Sequence, residues 1–332
     1  MAMNKQVLLA ARPAGWVKES DFRIVESPMP KAGEGEVLVR SLYLSLDPYM
    51  RSRMNAGRNY AKGLEIGDVM TGEAVAEVVE SRHPAFRAGD KVQAYMGWQQ
   101  YAALNASALQ KIAPGPVPLT AHLGVVGMPG VTAWIGLLDI GQPKPGETVV
   151  VSAASGAVGG TVGQIAKIKG CRAVGIAGGK TKCDYVVKEL GFDACVDYKA
   201  GNLARDLEAA TPKGVDVYFE NVGGEVFNAV LPRLNDFARI PICGLIAQYN
   251  SDAPHGMALT RQFLTQRLKM QGFICSDTME RWPIALKELA GWVAGGRIKY
   301  RETMAEGLEN APRAFIGLLR GENFGKQLVK IA

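Results

Sequence analysis

Ala154, Gly156 and Gly159 stand at the spacing G-x-G-x-x-G, with alanine in the first place, shortly after the apolar run Val149-Val150-Val151. A residue without a side chain at Gly156 lets a pyrophosphate approach the backbone, and Gly159 lets the following helix lie close to the strand. The unpaired N–H groups and the dipole of that helix attract the phosphates. Glycine-rich turns of this kind also form for packing alone, so a second signal is needed. About twenty residues on, a unit that binds NAD would end its second strand in Asp or Glu to hold the ribose 2′-OH. The expected second strand, Arg172 to Ala177, ends instead in Gly178-Gly179-Lys180-Thr181-Lys182. Lysines at a helix start oppose its dipole, and an anion between them would offset that opposition. The pattern therefore points to NADP(H) over NAD(H).

The elements around these residues follow from periodicity. Three consecutive valines suit a strand covered on both faces, and Val158, Val162, Ile165 and Ile168 repeat at helical spacing. Residues 1–121 show short apolar or alternating runs, Gln6 to Leu9, Glu36 to Tyr43, Glu73 to Val79 and Lys91 to Tyr95, broken by Pro and Gly. This is the pattern of a mostly β domain, barrel-like or partly open. Residues 122–296 alternate between strand and helix, as in a doubly wound parallel sheet. A helix is expected over His122 to Leu138, others near Tyr185 to Leu190, Leu203 to Ala210 and Glu225 to Leu234, and a last one running through Met270. The later strands are expected near Ala194 to Val196, Val215 to Phe219, Arg239 to Gly244 and Phe273 to Cys275, six in all with the first two. Residues 297–332, with a helix near Ala311 to Leu319 and a strand Gln327 to Ile331, are expected to return to the first domain. The fold class is thus α/β, a doubly wound parallel Rossmann sheet inserted in a mostly β substrate domain.

A net charge of +6 over 332 residues, with no long run of like charges, excludes nucleic acid as an expected partner. Neither a signal peptide nor an apolar stretch long enough to cross a membrane is present, so a cytoplasmic location and no membrane partner are expected. The five cysteines, 171, 183, 195, 243 and 275, include no C-x-x-C pair and read as small core residues in a reducing compartment. The three histidines, 83, 122 and 255, lack partners at metal-ligand spacing, so no metal site is expected.

Leu46-Asp47-Pro48-Tyr49-Met50-Arg51, Gly127-Met128-Pro129-Gly130-Val131-Thr132-Ala133, Glu220-Asn221-Val222-Gly223-Gly224, Cys243 to Asn250 and Gly321 to Lys326, with the glycine turn, span nearly the whole chain. In these it resembles the zinc-independent medium-chain dehydrogenase/reductases, in the leukotriene B4 dehydrogenase, prostaglandin reductase and alkenal double-bond reductase group that includes curcumin reductase. The zinc alcohol dehydrogenases carry a Cys near Leu46-Asp47-Pro48, a Gly-His-Glu motif near Gly72-Glu73 and a four-Cys lobe, and none of the three is here.

The resemblance implies a GroES-like first domain and NADP(H) held by Gly156, Ala157, Val158 and Gly159 at the pyrophosphate and by Lys182 and Tyr198 at the 2′-phosphate. It further implies Asn221, Cys243, Gly244, Leu245, Ile246, Tyr249, Phe273, Ile274, Cys275 and Asn323 along the rest of the groove. Relatives usually have Ser or Thr where Gly179 stands, and Lys180 is a candidate substitute for that hydroxyl. The expected reaction is reduction of the carbon–carbon double bond of α,β-unsaturated ketones and aldehydes, small-molecule enones and enals. A tyrosine hydroxyl is a neutral donor at pH 7, suited to hold an enolate oxygen. Tyr249 is the first candidate for it and Tyr49 the second, with both also readable as pocket walls. Arg51 is expected to be structural, and Tyr60 a candidate for the substrate mouth. A quinone reductase and a non-catalytic NADPH-binding protein stay open, as does a homodimer joined edge to edge near Phe273.

Overall fold

The computed structural model describes residues 3–57, 59–251, 256 and 260–332, so His255 and part of the loop after Gln248 lie outside the described residues. The chain divides into two compact units, residues 1–123 with 302–332 and residues 124–301.

The first unit opens with the antiparallel pair β1 (Met3–Leu9) and β2 (Phe22–Pro28). Strands β3 (Glu36–Leu46), β4 (Glu73–Ser81), β5 (Lys91–Tyr95), β6 (Tyr101–Asn105) and β7 (Gln110–Lys111) follow, with the one-turn helix α1 (Met50–Arg53) after β3. The second unit starts with α2 (Met128–Trp134), continued by a π-helical turn over Ile135–Gly141. The single helix expected from 122 to 138 is broken because Gly127 and Pro129 restart it.

Next come β8 (Thr148–Ser152), α3 (Ala157–Ile168), β9 (Arg172–Ala177), α4 (Lys180–Lys188), β10 (Ala194–Asp197), α5 (Leu203–Ala210), β11 (Val215–Phe219), α6 (Gly224–Val230), β12 (Leu234–Ile242), α7 (Arg261–Thr265), β13 (Lys269–Gly272) and α8 (Trp282–Ala294). The tail adds β14 (Glu302–Glu306), α9 (Ala311–Leu319) and β15 (Lys326–Lys330) to the first unit, where the sheet order is β14-β15-β3-β4-β5-β7 with β6 also on β3. The division at 123 follows from packing: Leu123 is fully buried with Val75 and Leu328. Residues 297–301 stay with the second unit, where Gln164 bonds both the N–H and the carbonyl of Lys299.

In the second unit six parallel strands run in the order β10-β9-β8-β11-β12-β13. This is the 3-2-1-4-5-6 order of the dinucleotide-binding sheet, whose crevice opens where the order reverses, at the carboxyl ends of strands one and four. Here those are β8 and β11. Every residue of β8 is buried, as parallel strands with helices on both faces require.

Several boundaries differ from expectation for physical reasons. The helix expected to reach Leu234 ends at Val230, Leu231–Arg233 form a 3-10 turn around Pro232, and Leu234 already begins β12. Asn235, Asp236 and Phe237, the last in left-handed backbone at φ 62°, bulge that strand, which pairs with β11 at Leu234 and again at Arg239. The last strand is Lys269–Gly272, not Phe273 to Cys275, and the helix before it stops at Thr265. All four side chains of β13 are exposed at the sheet edge, so no apolar pattern marks it. Phe273 is apolar for another reason: its ring meets Phe219 edge-on at 6.2 Å, over Gly136, where an added Cβ would lie 2.4 Å from it. No helix among the described residues is long and apolar enough to cross a membrane.

Candidate functional site

The turn after β8 is tight. Ala153 adopts φ 53°, Gly156 caps α3 and donates its N–H to the Ala153 carbonyl at 2.9 Å. Gly156, Ala157 and Val158 are half-buried at the helix start, while Gly159 is buried beneath it. A Cβ on Gly159 would stand 2.4 Å from the Ala153 oxygen, so its role is close packing of helix on turn. The alanine in the first fingerprint place is accommodated from the neighbouring strand. Ala154 is fully buried, and its methyl lies where a Cβ on Gly175 of β9 would come within 2.7 Å.

The carboxyl ends of β8 and β11 are tied by one buried carboxylate. Glu220, fully buried, accepts hydrogen bonds from the Ser152 hydroxyl at 3.1 Å, from the Val222 N–H at 2.6 Å and from the Gly223 N–H. Burial raises its pKa above the ordinary carboxylate value, and these donors pull it back. Asn221 donates its N–H to the Ser152 hydroxyl and its amide to the Ser152 carbonyl, both at 2.8 Å.

The segment after β12 wraps the same turn. Cys243 and Gly244 donate to the Glu220 carbonyl, Ile246 to Asn221 and Ala247 to Val222. The Tyr249 hydroxyl folds back over Gly244 and accepts the Leu245 N–H at 3.3 Å. Burial pushes the Cys243 thiol up, which keeps it protonated. Ile274 and Cys275 follow Phe273 in the connection to α8, with the Cys275 carbonyl accepting from the Trp282 indole at 2.9 Å. Gly156, Asn221, Cys243 to Ile246 and Tyr249 are thus gathered at the reversal of strand order, while Phe273 is a packed wall residue.

A second cluster sits at the carboxyl end of β9. Gly178 has no room for a side chain, because a Cβ would lie 2.9 Å from the Tyr198 ring and hydroxyl and 3.0 Å from the Lys199 stem. Gly179, at φ 97°, caps α4 and donates its N–H to Asp197 Oδ1 at 2.7 Å, which also accepts the Lys199 N–H. The pKa of Lys182 is lowered, first by burial and then by the neighbouring charge of Lys199. Two ammonium groups beside an exposed Tyr198 make a place suited to a compact dianion. Lys199 was not among the expected contacts, although its position next to Tyr198 was the available signal. Lys180 turns away to Asp184 at 2.6 Å, so it is committed within its own helix.

Tyr49 and Asn323 belong to the first unit. Asn323 donates its amide to the Gly325 carbonyl at 2.8 Å. Tyr49 is half-buried just before α1 and packs on the core that holds Trp98 and Phe315. Burial first, then Tyr95, Asp47 and Glu73, push its pKa far above the usual phenol value. Arg51 holds the Asn55 side chain and the Gly15 carbonyl, a structural role. Tyr60 is exposed and lines a cavity of about 550 Å³ with Arg12, Asn55, Asn59, Lys62 and Glu65.

Beneath Tyr49, Lys326 Nζ is buried between Asp47 Oδ1 and the Leu46 carbonyl, each at 2.7 Å, and the Ser45 hydroxyl also bonds Asp47. Glu73 is buried beside them, and its pKa is raised from 4.5 to about 7, chiefly by burial and then by Asp47, against the pull of Gln93 and Lys326. The unfolded chain releases this proton near 4.5 and the folded one only near 7, so stability falls as pH rises between them and then levels off. The gap corresponds to about 3 kcal/mol. Glu73→Gln is expected to remove most of that fall in urea unfolding measured from pH 5 to 8; an unchanged pH slope would place the shift elsewhere.

Among the described residues no group of three or more His, Cys, Asp or Glu could hold a metal ion. Residues 5–112 match the family described as N-terminal domain of oxidoreductase, and residues 157–291 the family described as zinc-binding dehydrogenase. The NADPH-dependent curcumin reductase of Escherichia coli is 50% identical, covering 99% of this chain and 97% of its own. The NADP(+)-dependent 2-alkenal reductase of Nicotiana tabacum is 42% identical over 99% of this chain and 98% of its own. The crystal structure of CurA in complex with NADPH from Vibrio vulnificus, 50% identical, superposes with a TM-score of 0.95 over 99% of both chains. With relatives this similar over its whole length, the chain belongs to the zinc-independent, NADP-dependent medium-chain dehydrogenase/reductases, in the group of the curcumin, alkenal and prostaglandin reductases.

Proposed function

We propose that this protein reduces the carbon–carbon double bond of α,β-unsaturated ketones and aldehydes with NADPH, as a cytoplasmic homodimer. The Lys182–Lys199 pair over Gly178 and Gly179 carries the NADPH reading, since a ribose 2′-phosphate relieves the repulsion that the exposed Lys199 exerts on the half-buried Lys182. The double-bond reading rests on the relatives named for reducing curcumin and alkenals. Five free thiols suit a reducing compartment, and the exposed β13 at the end of the sheet is an unpaired edge that a second copy could extend.

NADPH, when bound, supplies hydride from the nicotinamide to the β-carbon of the substrate. The three half-buried residues at the start of α3 present N–H groups to the pyrophosphate. Lys182, Lys199 and Tyr198 hold the 2′-phosphate, and Asn221 with residues 243–249 walls the groove. As negative charge develops on the substrate carbonyl oxygen, a tyrosine hydroxyl donates to it. Tyr249 suits this because the Leu245 N–H, by donating to its oxygen, polarises the O–H. Tyr49 suits it because its surroundings keep it protonated at any working pH.

The test is product analysis with deuterium at the transferable position of NADPH and a linear enone as substrate. The saturated ketone carrying deuterium at the β-carbon is expected. An allylic alcohol, or turnover confined to quinones, would overturn the assignment, and tight NADPH binding without turnover on any enone would make the protein a binder only.

A further inference from the structure

Next to Lys182 in the chain, Cys183 in the first turn of α4 and Cys195 on β10 bring their Sγ atoms to 2.9 Å. That is only about 0.9 Å longer than the ~2.05 Å of a disulfide bond. Cys195 packs beside Gly175 of β9, where an added Cβ would lie 3.4 Å from its sulfur. Strand β10 is the outermost of its sheet, where Cys195 is half-buried and Cys183 keeps 8% of its surface exposed, an opening that suits an oxidant no larger than hydrogen peroxide. The Cys195 thiol donates to the Cys183 sulfur, which favours Cys183 as the thiolate. Neither residue has a part in the hydride transfer described above, and both are thiols in this structure.

We propose that Cys183 and Cys195 are a redox site at which hydrogen peroxide forms a reversible disulfide, and that this bond lowers affinity for NADPH; the second half rests on the 2′-phosphate reading. The Cys183 thiolate attacks one peroxide oxygen and the O–O bond breaks. The departing hydroxide takes up the proton that Cys183 gave up, leaving water and a sulfenic acid. The Cys195 sulfur then attacks the sulfenic sulfur, the S–O bond breaks, and the leaving hydroxide takes the Cys195 proton. Two thiols lose two electrons and one peroxide becomes two waters. A dithiol reductant reverses the bond by exchange.

Coupling to the cofactor follows from what flanks each sulfur. Cys183 comes directly after Lys182, and both donate their N–H to the Gly179 carbonyl, at 3.2 and 3.1 Å. Cys195 lies two residues before Asp197, whose carboxylate holds the N–H groups of Gly179 and Lys199. Drawing the sulfurs to bonding distance pulls the first turn of α4 toward β10 and changes the spacing of Lys182 and Lys199. In cells, disulfides of this kind are transient and redox-sensing rather than structural.

The full-length protein should be treated with hydrogen peroxide, alkylated and digested for mass spectrometry, with kinetics measured in parallel. Expected are a peptide crosslinked through 183 and 195 and a rise of about fivefold or more in the Michaelis constant for NADPH. Turnover at saturating NADPH and the constant for NADH should stay unchanged, and dithiothreitol should restore the starting values. Cys195→Ser and, separately, Cys183→Ser should abolish the peroxide effect. Absence of the crosslink, a crosslink without change in NADPH affinity, or a peroxide effect that survives in both variants would overturn the proposal. Lys182→Ala separates the two readings. If that variant binds NADPH as tightly as wild type, the phosphate reading falls whatever the cysteines do. If it loses affinity while the crosslinked enzyme does not, only the redox proposal falls.

Discussion

Lys182→Ala is expected to raise the Michaelis constant for NADPH by about 10- to 100-fold and to leave that for NADH within about twofold, because a hydrogen bond to a charged group is worth roughly 1.5–3 kcal/mol. The split between the two nicotinamides is what matters, since they differ only in the phosphate that Lys182 is proposed to meet. Lys182 is a stronger candidate than an exposed lysine, because burial and Lys199 already depress its pKa. A dianion would push that pKa back up, so proton and phosphate binding are linked. Affinity for NADPH should therefore fall as pH rises through the lysine's lowered pKa, with no matching change for NADH. Lys180→Ala is the control. Its ammonium is paired with Asp184 in an exposed position, where such pairs are worth little, and a change below about twofold is expected. Equal losses for both cofactors in Lys182→Ala would remove the phosphate role.

What could be read in the chain without coordinates was local. Three valines, a glycine turn and a helical repeat specify β8, the turn and α3 within about twenty residues, and each follows a rule that acts over one or two elements. The helices Leu203–Ala210 and Ala311–Leu319 were legible for the same reason. What could not be read depends on partners distant in sequence or on the absence of a pattern. Strand β13 is exposed along its length and carries no alternation. The bulge in β12 looks like a break, because Asn235 and Asp236 are turn formers. Ala154 in the first fingerprint place is explained only by Gly175 on the next strand. Lys326 and Asp47, a buried ion pair, lie at opposite ends of the sequence. Within the candidate site, Lys182 was marked by the lysines that follow the second strand, Tyr198 and Asn221 were nominated by resemblance, Lys199 was marked only by its place next to Tyr198, and Glu220 had no local rule to mark it. An acid in an apolar strand end reads as an exception until its donors are seen.

Glu220→Ala is expected to cost about 3–5 kcal/mol, since it leaves the Ser152 hydroxyl and the Val222 and Gly223 N–H groups without their buried acceptor and each orphaned donor costs about 1–3 kcal/mol. A melting temperature lower by about 10 °C should accompany this. The loss has a particular place. With no carboxylate to hold it, the Ser152 hydroxyl can turn away from the Asn221 N–H it now accepts. The turn from Asn221 to Gly224 then loosens, and with it Cys243, Gly244, Ile246 and Ala247, whose N–H groups bond the carbonyls of residues 220 to 222. Glu220→Gln should be milder, because its amide oxygen can still accept the two backbone N–H groups. Affinity for NADPH and NADH should weaken together in both variants, the opposite of the selective loss at Lys182. This carboxylate, directly after β11, shapes the crevice proposed for both cofactors, whereas the proposed phosphate cluster stands at the ends of β9 and β10. A melting temperature within about 2 °C of wild type for Glu220→Ala, read by calorimetry on the full chain, would mean that backbone pairing alone holds the two strand ends.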